Sequence, residues 1–276
     1  MIFIILTLLF GTLVKSINIK PYSFVLILLG ICFGLIYKYI PNDNNYSESL
    51  NIWVDMHPHL FLFIFIPPLI YESSFLIDFH IFEKTFKLIM GFTFIGVILT
   101  FGFISLFMYY IDNEYHNSYS LILASILSAT DPVAVVSILT ELKISEKLIT
   151  IIEGESLLND GISIVIFNII LDMILKSPSI NNIIIDSVRL SMGGILLGGI
   201  LTIVKIYWLK HIFNDTISEI NLTIAFCYGI YYLSENNPFH TSGILALVTS
   251  GLLMSKYGKT RISTQSQQSL HDIWSV

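Results

Sequence analysis

IIEGESLLNDGISIVIF (Ile151–Phe167) sets three carboxylates, Glu153, Glu155 and Asp160, at the head of an almost wholly apolar run. Upstream, LSATDPVAVV (Leu127–Val136) does the same with Asp131 and adds Pro132. What surrounds those charges decides the fold. Of 276 residues 54% are hydrophobic and only 12% charged, with a mean hydropathy of +0.78. Soluble domains carry about 25% charged residues. Half that value, with apolar runs near the ~20 residues that cross a bilayer, indicates an all-α polytopic membrane protein. A carboxylate at membrane depth costs several kcal/mol on insertion scales, so these positions need a pairing or functional reason.

Nine spans are read at about 1–14, 22–40, 57–73, 87–111, 118–139, 148–175, 187–209, 218–235 and 241–256, followed by a tail over 257–276 whose LHDIWSV opens a tenth. The first lacks the basic n-region and small-x-small site of a signal peptide, so it reads as a short membrane helix. Loops following odd-numbered spans collect Lys15, Lys20, Lys84, Lys87, Lys143, Lys147, Lys205, Lys210, Lys256, Lys259 and Arg261, eleven of the fourteen basic residues. Positive loops face the cytoplasm, which puts the N-terminus outside. No basic block suggests nucleic acid. Cys32 and Cys227 lie in apolar runs as inert thiols rather than as a disulfide or metal pair. Nothing calls for a cofactor. The chain reads as one membrane domain, 1–276.

On a helix Ser156 and Asp160 share one face, with Glu153 a turn back on nearly the same face. Glu155 and Asn159 form a second pair about 100° round the axis. All are hard oxygen ligands suited to a small alkali cation or a proton. The structural alternative is that Glu153 and Glu155 sit solvated at the positive end of the helix dipole; Asp160, deeper, is the stronger candidate. Pro132 donates no amide hydrogen and disfavours helix at Asp131, so the span breaks there and frees backbone carbonyls. Unsatisfied backbone is tolerated in a membrane only against a cavity or inside protein. Thr130 and Asp131 thus sit at a broken helix of the kind that makes ion sites, and Asp131 has two open roles, ion contact or cap of the second half-helix. Pro67 and Pro68 in FIPPLIYESSF indicate a kinked helix, with Glu72 at its interfacial end. Arg189 and Lys205 lie near span ends, where they can snorkel. Gly194 and Gly198 in SMGGILLGG form a small-xxx-small packing face.

ATDPVAV (129–135) and EGESLLNDG (153–161) resemble the monovalent cation/proton antiporter-1 family of sodium/proton exchangers. FIPPLIYESSF and FNDTISEINLT…SGILAL…QSQQSLHDIW are most similar to plant plasma-membrane salt-tolerance exchangers and their microbial relatives. The resemblance runs from about residue 20 to the end. It implies an inverted-repeat antiporter fold in which Asp160 binds the transported cation and the exchanged proton alternately. Thr130 and Ser156 supply further oxygen ligands, Asn159 matches the amide of electroneutral members, and Glu155 matches a glutamate held by an arginine from a later helix. It also implies Na⁺ or K⁺ and H⁺ as transported ions, a plasma-membrane location and a homodimer.

The family has about a dozen or more spans, with a second broken helix after the tenth, so the chain is expected to be incomplete at its C-terminus and, alone, not to cycle. The alternative function is therefore a non-transporting subunit or remnant, against which every ligand position being present counts. An intramembrane aspartyl protease is excluded: Asp131 and Asp160 imitate a dyad, but the residues around them do not fit one.

Overall fold

The computed structural model describes residues 9, 11–13, 22–37, 55–111, 117–176, 180–212, 215–236, 241–263, 266–267 and 269–270. The expected first span lies almost wholly outside them. The chain divides into two units, 1–62 and 63–276. The first holds α1 (Tyr22–Tyr37), the opening of α2 (Pro58–Leu76), and stacked rings of His57 and His59.

The described residues of the second unit form helices joined by short turns, with no strand among them. After the rest of α2 come α3 (Phe79–Ile111), α4 (Asn117–Leu127), α5 (Val133–Glu141), α6 (Glu146–Lys176), α7 (Ile180–Leu209), α8 (Thr216–Glu235) and α9 (Gly243–Leu253), closed by a π turn (Met254–Gly258) and a 3-10 turn (Lys259–Arg261). Among the described residues α2, α3, α6 and α7 have the length and apolar composition to cross a membrane. α6 is the hub, packing on α3, α4, α5, α7 and α9, while α7, α8 and α9 pack on one another.

Local chemistry sets the boundaries. α3 starts eight residues before the apolar run at 87 because Asp78 caps it, its Oδ1 accepting from the amides of His80 (2.8 Å) and Ile81 (3.2 Å). Lys84 and Lys87 therefore ride on the first turns of a helix rather than in a loop. Ser242 caps α9, and Glu235 adds a carboxylate oxygen 2.9 Å from the Gly243 amide. Two distant stretches, TISEI and RISTQSQQS, meet at Glu219. Its buried carboxylate accepts from the amide and hydroxyl of Ser263, each at 3.0 Å.

α2 runs through both of its prolines as one helix. Pro68 cannot donate to the Ile64 carbonyl, and the Tyr228 hydroxyl of α8 donates to it instead (3.0 Å). In a bilayer this kind of side-chain replacement is what makes a helix-internal proline affordable.

α7 and α9 approach most closely where the small residues fall. A Cβ added at Gly194 would lie 2.5 Å from the Ser242 carbonyl oxygen, and one at Gly198 would collide with the Ala246 backbone. Gly198→Ala is therefore expected to cost about 1–3 kcal/mol by forcing the helices apart, and Gly198→Leu to prevent assembly. Thermal denaturation of the detergent-solubilised variants checks this; an alanine variant melting with the wild type would show that α9 yields freely there.

One expectation is corrected. Lys205 does not snorkel: it is 0% exposed, turned inward against Tyr71 of α2. One basic residue fewer therefore marks a loop.

Candidate ion site

Between α4 and α5 the chain leaves helical geometry over residues 128–132. The N-cap position of α5 falls to Pro132, which makes no side-chain capping bond. In an unbroken helix the Ser128 carbonyl would accept from the amide of residue 132, and proline has none. The Asn159 Nδ2 of α6 takes that place, donating to the Ser128 carbonyl (3.1 Å) and to the Thr130 hydroxyl (2.8 Å). Ser156 Oγ donates to the Thr130 carbonyl at 2.5 Å. Ser163 donates to Asn159 Oδ1 (3.1 Å) and shares a hydrogen bond with the Ser128 hydroxyl (3.1 Å). Ser156, Asn159, Ser163 and Ser128 are all buried, at 4%, 2%, 4% and 0% exposure, so water does not serve these groups. The break is thus held by a satisfied polar lattice, the condition under which a buried network specifies one structure.

That lattice presents carboxylates to a cavity of about 470 Å³ between α2, the α4–α5 break and α6. Leu69, Ile70, Ser73 and Leu76 line it from α2; Asp131, Pro132, Val136 and Ser137 from the break and α5; Glu153, Ser156, Leu157 and Asp160 from α6. Positions 153, 157 and 160 repeat at i, i+4, i+7, the spacing of one helical face. Asp160 is half-buried and Asp131 is at the exposed mouth of the break. Three carboxylates (Asp131, Glu153 and Asp160) and hydroxyl oxygens around a partly solvated hollow make a site for a hard monovalent cation or a proton. Among the described residues no His/Cys/Asp/Glu cluster suits a tightly held metal.

The sequence-predicted residues separate into three groups. Asp131, Ser156 and Asp160 face the cavity; Thr130 and Asn159 are engaged with each other behind it. Glu155 lies elsewhere: its carboxylate sits against Gly96 of α3, and Thr93 Oγ1 approaches its backbone carbonyl at 3.4 Å. Among the described residues no arginine pairs with it; Arg189 is bound to Asp186 (2.8 Å). Sequence reasoning passed over Ser128 and Ser163, whose only signal was proximity to motifs, whereas the α2 lining residues Leu69, Ile70 and Ser73 fall inside FIPPLIYESSF, whose prolines indicate a pore-adjacent helix.

Residues 4–276 match the family described as "Sodium/hydrogen exchanger, transmembrane". The chain belongs to the sodium/hydrogen exchanger family. Its members are membrane transporters rather than enzymes. This exchanger-family chain is 37% identical over 259 residues to "Sodium/hydrogen exchanger 7" of Arabidopsis thaliana, covering 93% of itself and 22% of that protein. It is 30% identical over 264 residues to "Na(+)/H(+) antiporter NhaH" of Halobacillus aidingensis, covering 92% of itself and 63% of that protein. The sodium proton antiporter MjNhaP1 of Methanocaldococcus jannaschii has the same fold, with a TM-score of 0.73 at 21% identity over 98% of this chain and 65% of that one. The chain therefore spans less than two thirds of the length of each.

Proposed function

We propose that this chain forms the ion-binding part of an exchanger that trades a monovalent cation, Na⁺ or K⁺, for H⁺ by alternating access. The observation that supports it is the cavity itself: Asp160 and Asp131 face one hollow across a helix break whose freed carbonyls are already bonded. Asp160 holds either the proton or the cation, and mutual exclusion couples the two fluxes. Ser156 Oγ adds an oxygen ligand at the cavity wall, Thr130 and Asn159 hold the break behind it and orient Ser156 through the Thr130 carbonyl, and Asp131 adds negative charge at the mouth. Glu155 acts from the α3 side, outside the cavity. The plasma membrane and an assembled homodimer are part of the same reading.

Competition fixes the sign of the pH dependence. Protons and cations occupy one carboxylate, so the half-saturating sodium concentration rises as pH falls, with a limit of about tenfold per pH unit once the proton form dominates. Transport assays across pH in a transport-competent exchanger carrying these residues test the reading. A sodium half-saturation that stays unchanged across the whole pH range in which the exchanger is active would rule out a shared site.

The external N-terminus is tested separately. In a Cys32→Ser background, Ser49→Cys is expected to react with a membrane-impermeant thiol reagent on intact cells, and Lys143→Cys only after permeabilisation. The reverse pattern inverts the orientation.

A further inference from the structure

α2 has two faces with different duties. Leu69, Ile70 and Ser73 look into the cavity opposite Asp160. On the far side, Ile64, Pro67 and Tyr71 fall at i, i+3, i+7, one helical stripe. Each is held by α7 or α8. Tyr228 donates to the Ile64 carbonyl (3.0 Å), the Cys227 thiol donates to the Pro67 carbonyl (3.1 Å), and Lys205 Nζ donates to the Tyr71 hydroxyl. The Tyr228 bond has a local reason in Pro68; the lysine bond has none.

Lys205 lies one turn from the end of α7, where a lysine side chain ordinarily reaches outward to the membrane surface. Here it points inward, and both it and Tyr71 are 0% exposed. Its ammonium also lies 4.3 Å from the centroid of the Tyr71 ring. Among the described residues no carboxylate is within ion-pair distance of it. A buried amine in a membrane protein is unfavourable without partners, and its partners here are the hydroxyl and the ring face of a single residue. The interaction binds α7 to α2 at one point and resists both sliding and rotation of α2.

We propose that Lys205 is a positioning residue: through Tyr71 it fixes the wall of the cavity that faces Asp160, and so sets how tightly the cavity holds its cation. This rests on the reading of that cavity as the cation site. If the Lys205–Tyr71 link is lost, α2 keeps its Tyr228 and Cys227 bonds higher on the stripe and its packing against Gly251 of α9 at Ser74, but its tie to α7 at the level of Leu69 to Ser73 is weakened. The residues at that level are the ones that line the cavity.

The test uses Lys205→Met, which keeps length and removes the amine, and Tyr71→Phe, which keeps the ring and removes the hydroxyl. In lipid vesicles, with Cys32→Ser and Cys227 retained, the reaction of Ser73→Cys with a small polar thiol reagent reports the α2 wall. The same protein without Ser73→Cys supplies the background. Each variant is expected to change that rate by about threefold or more, the low end for partners in one bonded network, and to raise the sodium concentration that protects the cysteine. Combining them is expected to add nothing, because both remove the same link. Unchanged rates in the single variants, or effects that add in the double, would overturn the proposal. If Lys205→Met fails to elute as a single folded species, Tyr71→Phe, a one-atom change, carries the test. Absence of sodium protection in the Ser73→Cys protein with Lys205 and Tyr71 intact would instead count against the cavity as cation site, while the rate change still reported the link.

Discussion

Asp160→Asn is expected to abolish sodium- or potassium-driven proton movement while leaving the protein inserted and folded. An amide keeps the shape and hydrogen-bonding reach of the carboxyl but neither titrates nor carries charge, so it has no proton to trade. Asp160 makes none of the bonds that hold the break, which are formed by Ser156, Asn159 and Ser163. Stability is therefore expected to stay within about 1 kcal/mol of wild type, or to rise slightly as a partly buried carboxylate is neutralised. Vesicles containing the variant in a transport-competent exchanger would be given a pH gradient and then cation. Collapse of the gradient at the wild-type rate would remove Asp160 from the mechanism. Asp131→Asn is expected to be milder, because Asp131 lies at the exposed mouth of the break and shapes attraction more than exchange.

Asn159→Ala is expected to do the opposite, acting first on the fold. Its amide supplies the hydrogen that Pro132 cannot, and its removal leaves the carbonyl of the buried Ser128 short of a donor, while water can reach the exposed Thr130 hydroxyl. A buried group left unsatisfied costs about 1–3 kcal/mol, so a loss of about that size is expected, with transport falling as the break disorders. Asn159→Asp removes the same donors and adds a charge facing a carbonyl, so it is expected to be at least as damaging. Thermal melting in detergent reads both. A melting temperature equal to wild type in Asn159→Ala would mean that the break is held by other contacts.

Why some of this was legible in the sequence is clearest at Pro132. A proline inside an apolar span breaks the ladder by its own covalent structure, and the half-helices end at Leu127 and begin again at Val133. The grouping of Glu153 with Ser156 and Asp160 also follows from helical spacing, and all three line the cavity. What spacing could not say was which flank of α6 meets which neighbour. Glu155 is on an adjacent face of the same helix, yet it lies toward α3 because α6 is buried on several sides. Lys205 shows the same limit more sharply. A lysine one turn from a helix end can reach out or in, and the residue that draws it inward is Tyr71, 134 positions away in the chain. The start of α3 is hidden from the apolar pattern for a simpler reason: Asp78 and its polar neighbours precede the apolar run, so the cap lies outside the hydrophobic signal.

The exchange chemistry can be read without any flux. Purified protein in weakly buffered detergent solution, titrated with sodium chloride near neutral pH against a choline chloride control, reports protons displaced by cation binding. Proton release of at most one per Asp160 site is expected, diminishing as the starting pH is raised and more of the carboxyl is already deprotonated, and absent in Asp160→Asn. Sodium binding with no proton release, or the same release from Asp160→Asn, would contradict a single carboxylate shared between cation and proton.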